Sequence, residues 1–206
     1  EKNKVKFNNY NLLCLNIMSS PGAGKTRLLE ITLEDLSKKF HSAVLEGDMT
    51  TNLDAARLEK LNIPVVPITT GRACHLDANM VSGGLKLLEK KINPDLLDIL
   101  LVENVGNLVC PAEFEIGEHF KVALLSITEG EDKPLKYPIM FREADLILIT
   151  KVDLLPHLNF DINELKSNIA STNPKADVIE ISSITKSGFD LWQDWISKKI
   201  LKFKNN

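Results

Sequence analysis

Short apolar runs alternate with longer amphipathic ones along the chain. Residues 12–18 are apolar except for Asn16 and predict a buried strand. Over 25–39, Leu28, Leu29, Leu33 and Leu36 recur at helical spacing and share one face. A second strand is predicted to begin at 43–45 and to end on Glu46-Gly47-Asp48, and a short helix is predicted at 52–61. The run 65–68 is interrupted by Pro67 and preceded by Pro64, which predicts a short edge strand or a loop. A helix follows over 77–91, with Gly83 and Gly84 as its weak point. Further apolar runs at 97–102, 122–127, 146–149 and 178–181 predict four more buried strands, with helices at 161–171 and 189–202. Strands separated by helices need crossover connections. The predicted fold class is therefore α/β, a mainly parallel β-sheet flanked by helices on both faces. In such sheets ligands sit at the C-terminal ends of the strands, so each functional residue should fall just after one.

The chain has 206 residues and shows no repeat or low-complexity linker, which predicts one domain over 1–206 with 1–11 as a lead-in. Hydrophobic residues make up 44%, too many for a disordered chain. A net charge of -3 without a basic run argues against nucleic-acid binding. No apolar run approaches the roughly 20 residues of a membrane span. The charged start, 1–6, resembles no secretory signal. Three cysteines, at 14, 74 and 110, are too few for a disulfide scaffold and fit a reducing, cytoplasmic setting.

The strongest chemical signal is Ser-Ser-Pro-Gly-Ala-Gly-Lys-Thr at 19–26, between the first strand and the first long helix. It matches the phosphate-loop pattern G-x-x-x-x-G-K-[ST] except at Ser19. Gly22, Ala23 and Gly24 bring backbone N–H groups onto phosphate oxygens. Lys25 neutralises the terminal phosphates, Thr26 faces Mg²⁺, and Arg27 follows on the helix. Glu103 ends an apolar strand where such proteins place a magnesium carboxylate. Asp48 is a second candidate, with a plain turn residue as the competing interpretation. Lys25, Asp48 and Glu103 form the candidate catalytic set. Thr150-Lys151-Val152-Asp153 follows another strand and approximates Asn-Lys-x-Asp, in which the Asp accepts hydrogen bonds that guanine offers and adenine does not. Lys151 and Asp153 therefore predict GTP and GDP as ligands. Ser183, within the Ser-rich stretch after the last strand, is either part of the base pocket or of an ordinary turn.

Cys74 and His75 precede the 77–91 helix, and Cys110 lies seven residues beyond Glu103. Two thiols and an imidazole suit Ni²⁺ or Zn²⁺. Three ligands fall short of a closed tetrahedron, so water or a second copy of the chain must complete it. With no Cys-x-x-Cys pair, spacing alone also admits two unrelated thiols and a surface histidine. Cys14 is read as core, and His41, His119 and His157 as surface residues. Glu131, Asp132 and Lys133 either line the nucleotide mouth or form a solvated charge cluster.

The segments SSPGAGKT (19–26), EGD (46–48), GRACHLDA (71–78), ENVGNLVCP (103–111) and TEGEDKPLKYP (128–138) together resemble the HypB family of nickel-insertion GTPases of hydrogenase maturation. The resemblance spans residue 12 to about 190. It implies a slow GTPase that dimerises with its nucleotide and holds metal at the subunit interface through Cys74, His75 and Cys110. It also implies a nickel-delivery accessory protein and the hydrogenase large subunit as partners. Thr150 stands where the family usually has Asn, Arg27 where a second Thr is common, and no Cys- or His-rich nickel store is visible within the 206 residues. Three alternatives accompany this expectation. They are a urease accessory GTPase (which carries Cys-Pro-His in place of Ala-Cys-His), a metal carrier whose GTP only sets the dimer, and a kinase or ATPase of the same fold.

Overall fold

A computed structural model describes residues 1–50 and 53–205. Strands β1 (Leu13–Ser19), β2 (Ser42–Asp48), β3 (Val65–Thr69), β4 (Ile99–Glu103), β5 (Phe120–Ser126), β6 (Leu146–Thr150) and β7 (Asp177–Ile181) form one sheet in the order β3-β2-β4-β1-β5-β6-β7. Every adjacent pair is parallel. The longer helices are α1 (Lys2–Asn9), α2 (Lys25–Leu36), α3 (Leu53–Glu59), α4 (Ala78–Lys91), α8 (Ile162–Thr172) and α9 (Phe189–Lys204). Short helices α5 (Cys110–Glu113), α6 (Lys133–Lys136) and α7 (Pro138–Arg142) each carry a proline in the first turn, where no N–H is needed.

The strands look continuously apolar because both faces are covered, while alternate residues still point opposite ways. Leu13, Leu15 and Ile17 pack with Val44, Leu101 and Leu124 under α2 and α9. Cys14, Ala43, Leu45 and Leu100 join the core beneath α4, and Met18, Ala123 and Ile147 join that beneath α7 and α8. Trp192 is fully buried, and its Nε1 donates to Thr32 Oγ1 at 2.9 Å, fixing α9 against α2. The 65–68 run resolves as an edge strand, where the missing N–H of Pro67 is tolerated.

Four expectations need adjustment. First, β2 starts at Ser42, one residue before the predicted 43, and ends as expected on Glu46-Gly47-Asp48, where Glu46 still pairs with β4 and Gly47 and Asp48 pair with β3. Second, α4 passes unbroken through its two glycines. A Cβ on Gly84 would lie 2.6 Å from Ile68 Cδ1, so that glycine permits the close approach of α4 to β3. Third, His119 is not a surface residue. Its Nδ1 accepts the Cys14 backbone N–H at 2.9 Å, its Nε2 faces Asn8 Oδ1 at 2.9 Å, and its ring packs against Phe203. Burial pushes its pKa down to about 4. Fourth, the lead-in begins with a helix, α1, anchored by buried Phe7 and by Asn3, whose amide donates to the carbonyls of Ala78 and Ile116. Asn52, at the predicted start of the 52–61 helix, lies outside the described residues, and α3 covers Leu53–Glu59.

Candidate nucleotide and metal site

The loop after β1 turns directly into α2. Gly22 and Gly24 have φ of 78° and 100°, left-handed values that a side chain disfavours. Beside this loop lies a cavity of about 440 Å³ whose walls include Lys25, Thr26, Glu46, Asp48 and Glu103. Lys25 Nζ donates to Ser19 Oγ at 2.8 Å, and Ser19 Oγ donates to the Ser20 carbonyl at 2.6 Å. Ser19, the departure from the consensus glycine, thus supplies a resting partner for the lysine. Burial pushes the Lys25 pKa down, and the Glu103 carboxylate opposes that shift.

Thr26 Oγ1 donates to Glu103 Oε1 at 2.7 Å. Burial raises Glu103 to about 7, with the Lys25 ammonium pulling the other way. Glu46 sits opposite Glu103 in the β2–β4 register, on the same face of the sheet, and burial with the neighbouring Glu103 charge raises it to about 8. Glu46 Oε2 and Glu103 Oε2 are both buried without a hydrogen-bond partner among the described residues. Orphaned carboxylate oxygens beside a threonine hydroxyl are the donor set a hard divalent cation requires, so the residues present fit Mg²⁺. Asp48 lines the same cavity, half-buried, and its Oδ1 accepts the Met49 N–H at 2.6 Å. Sequence reasoning passed over Glu46 because only the strand register shows that it faces Glu103. Asp54 and Arg57 of α3 were also missed. Both border the cavity, and Arg57 grips Glu30 through Nε and Nη2, each at 2.9 Å, and Asp54 at 3.0 Å. Arg27 points along α2 to Glu30 at 3.0 Å.

At the end of β6, Thr150 Oγ1 donates to the Ala23 carbonyl at 2.8 Å in a buried contact. Thr150 therefore ties the 150–153 loop to the phosphate loop. Lys151 adopts a left-handed φ of 62°, which starts a 3-10 turn at Val152–His157 and places Asp153 in its first turn. Asp153 Oδ1 accepts the Ser182 hydroxyl at 2.5 Å. That hydroxyl belongs to the residue before the predicted Ser183, and it also accepts the N–H groups of Ile184 and Thr185. The 131–133 cluster serves the surface: Glu131 Oε1 accepts the Asp161 N–H at the start of α8, and Asp132 pairs with Lys136.

Cys74, His75 and Cys110 do come together. One ligand atom from each lies within 4.8 Å of the others. Cys74 Sγ donates to Cys110 Sγ at 3.1 Å and stands 3.8 Å from His75 Nδ1. The Cys74 thiol beside Cys110 raises the latter's pKa, and a metal ion would displace that proton. Phe114 stacks on the imidazole with ring centroids 4.1 Å apart. Cys14, by contrast, is fully buried in the core, with its thiol pushed up by desolvation.

A single segment joins the two places. Beyond Glu103, the Asn104 N–H donates to the Ile17 carbonyl at 3.0 Å and the Asn107 N–H to the Ser19 carbonyl at 2.7 Å. A Cβ on Gly106 would meet Pro21 Cα and N at 3.0 Å, so this glycine permits a close approach to the phosphate loop. The segment then delivers Cys110. Asn104 adds a cross-link that the sequence did not reveal: its Oδ1 accepts the Leu76 N–H, beside His75, at 2.9 Å. The loop that bears Cys74 is also tied to β2, through Thr70 N–H to the Asp48 carbonyl at 2.8 Å and Gly71 N–H to the Met49 carbonyl at 3.1 Å.

Residues 13–180 match the family model described as the CobW/HypB/UreG nucleotide-binding domain. The chain is 49% identical over 199 residues to the hydrogenase maturation factor HypB of Azotobacter vinelandii, covering 96% of this chain and 64% of that protein. It thus spans about two thirds of the length of that relative. It is 41% identical to the hydrogenase/urease maturation factor HypB of Helicobacter pylori, covering 95% of this chain and 80% of that one. The crystal structure of Helicobacter pylori HypB in complex with nickel superposes with a TM-score of 0.93 at 40% identity, covering 98% of this chain and 93% of that one.

Proposed function

The chain belongs to the CobW/HypB/UreG nucleotide-binding family, and within the HypB branch of it, and from that premise we propose that it is a GTP-hydrolysing nickel carrier acting in hydrogenase maturation. The observation that carries this is the 103–110 segment. It holds Glu103 against Thr26 at one end and Cys110 against Cys74 and His75 at the other.

In this proposal Lys25 leaves Ser19 for the terminal phosphates, and the N–H groups of 22–26 cradle them. Thr26 and Glu103 hold Mg²⁺, with Asp48 at the rim. The cation supplies positive charge against the phosphate oxygens. Asp153 reads the guanine N1 and 2-amino donors, Lys151 flanks the base, and Thr150 braces the pocket from below. Water then attacks the γ-phosphorus, the bond from it to the bridging β-phosphate oxygen breaks, and GDP and inorganic phosphate result. With the γ-phosphate gone, the 103–110 segment loses its anchor and the position of Cys110 changes, which alters the metal ligands. The linkage is reciprocal, so nickel must also change nucleotide affinity.

The soft donor set favours Ni²⁺ or Zn²⁺ over hard cations. One chain offers three ligands, so water or a second copy completes the shell. A homodimer holding metal between two such half-sites fits that deficit. The delivery partners are then a nickel-delivery accessory protein and the hydrogenase large subunit. A urease client is the second reading, favoured by the double name of the Helicobacter pylori relative. The test is multiple-turnover phosphate release from GTP together with nickel titration. Lys25→Ala should abolish release and keep nickel binding, and Cys110→Ala should do the reverse. Preference for ATP, or nickel binding indifferent to Cys110→Ala, would overturn the proposal.

A further inference from the structure

Glu46 takes no part in the proposed reaction, yet it is the least expected side chain in the cavity. It lies in the last part of β2, 2% exposed, and borders the same cavity as Lys25 and Thr26. One carboxylate oxygen, Oε2, is buried with no hydrogen-bond partner among the described residues. Burying a carboxylate without a compensating donor is costly, and a fold retains one where something absent from the free protein supplies the compensation. Glu46 lies in register with Glu103 across the β2–β4 pair, on the face beneath α2. Glu103 Oε2 is orphaned in the same way. The charges around Glu46 deepen the imbalance. Glu103, Asp48 and Asp54 face it with the same sign, against the Lys25 ammonium. A lysine that moves to the phosphates leaves these carboxylates still less compensated.

We propose that Glu46 is a second carboxylate of the divalent-cation site that accompanies the nucleotide, paired with Glu103 across the strand register. Hard divalent cations collect oxygen ligands, and two carboxylates on adjacent strand ends, beside the Thr26 hydroxyl, offer them from a rigid platform. The pairing also assigns a purpose to the polar triplet Glu46-Gly47-Asp48, in which Glu46 and Asp48 share one face and Gly47 turns to the other. A Cβ on Gly47 would lie 2.7 Å from Leu76 Cδ1, so that glycine lets the residue after His75 pack beneath the cation platform.

The inference rests on the cavity being a nucleoside triphosphate site. The experiment is therefore a Mg²⁺ titration of the full chain saturated with a fluorescent, non-hydrolysable GTP analogue, for wild type, Glu46→Gln and Glu46→Asp. The half-saturating Mg²⁺ concentration should rise at least tenfold in Glu46→Gln and less in Glu46→Asp, which keeps the charge. Analogue affinity in EDTA should stay within twofold of wild type, and thermal unfolding of Glu46→Gln without Mg²⁺ should match or exceed wild type. A purely structural Glu46 would shift the unfolding temperature and leave the Mg²⁺ midpoint alone. An unchanged midpoint in Glu46→Gln, with normal Mg²⁺-dependent binding in wild type, overturns this inference only. A wild type that binds no analogue overturns the nucleotide reading beneath it.

Discussion

Removing one hydroxyl tests how the base loop and the phosphate loop hold each other. Thr150→Val keeps the side-chain shape and deletes the donor to the Ala23 carbonyl. Thr150 is 6% exposed and Ala23 1%, so water does not readily replace the lost 2.8 Å bond. An acceptor left unsatisfied in a buried site costs about 1–3 kcal/mol. Part of that cost falls on the fold and part on the geometry of the nucleotide loop. If about 1 kcal/mol appears in binding, GDP affinity drops roughly fivefold. Urea unfolding with and without GDP, and titration with fluorescent GDP, separate the two shares. Thr150→Ser, which keeps the hydroxyl, should recover most of both. Thr150→Val with wild-type stability and wild-type GDP affinity would refute the bracing role. The result also bears on Thr150 standing in the Asn position of the Asn-Lys-x-Asp pattern: a hydroxyl there ties the 150–153 loop to the phosphate loop.

Two further predictions rest on separate contacts. Asp153→Asn turns one of the two oxygens proposed to accept the guanine donors into an amide donor and should cut the preference for GTP over ATP at least tenfold in a competition assay, while nickel binding, proposed for Cys74, His75 and Cys110, stays unchanged. His119 carries a pH signature: its Nδ1 accepts the Cys14 N–H, so the native state holds it neutral. Its folded pKa of about 4 lies below its ordinary value, so the unfolded chain takes up the proton first. The stability it contributes is complete above about pH 6.5 and is lost as pH falls toward 4. Between pH 7.5 and 5 this amounts to about 1–2 kcal/mol after discounting for partial exposure. Urea midpoints of wild type and His119→Gln should converge over that interval, and parallel pH profiles would contradict the assignment.

The sheet was readable because its strands are covered on both faces, which writes β1, β4 and β6 as continuous apolar runs. The phosphate loop was readable because strand, glycines and Lys25-Thr26 occur in fixed order. What escaped was information that exists only between strands. Glu46 and Glu103 are far apart in the chain, and the apolar signal of β2 stops at Leu45, so nothing in the sequence sets the two carboxylates side by side. Asn104 is likewise an ordinary residue until the loop bearing Leu76 folds over it. The thiols stood between: no spacing rule brings position 74 to position 110, and only the family resemblance pointed to a shared site. The structure gathers them because the loops after β3 and β4, two strands that flank β2, end on the same edge of the sheet. Position 183 against 182 shows the remaining limit, since which serine of a turn faces Asp153 depends on how the backbone leaves β7.

In the proposed mechanism the terminal phosphate and the nickel ligands are joined through residues 103–110. The most direct measurement is nickel affinity and release rate of one preparation loaded with a non-hydrolysable GTP analogue and with GDP, with molecular mass recorded alongside. A several-fold difference between the two nucleotide states, mirrored by an equal effect of nickel on nucleotide affinity, is the predicted result. Identical nickel affinity and identical release in both states would contradict it.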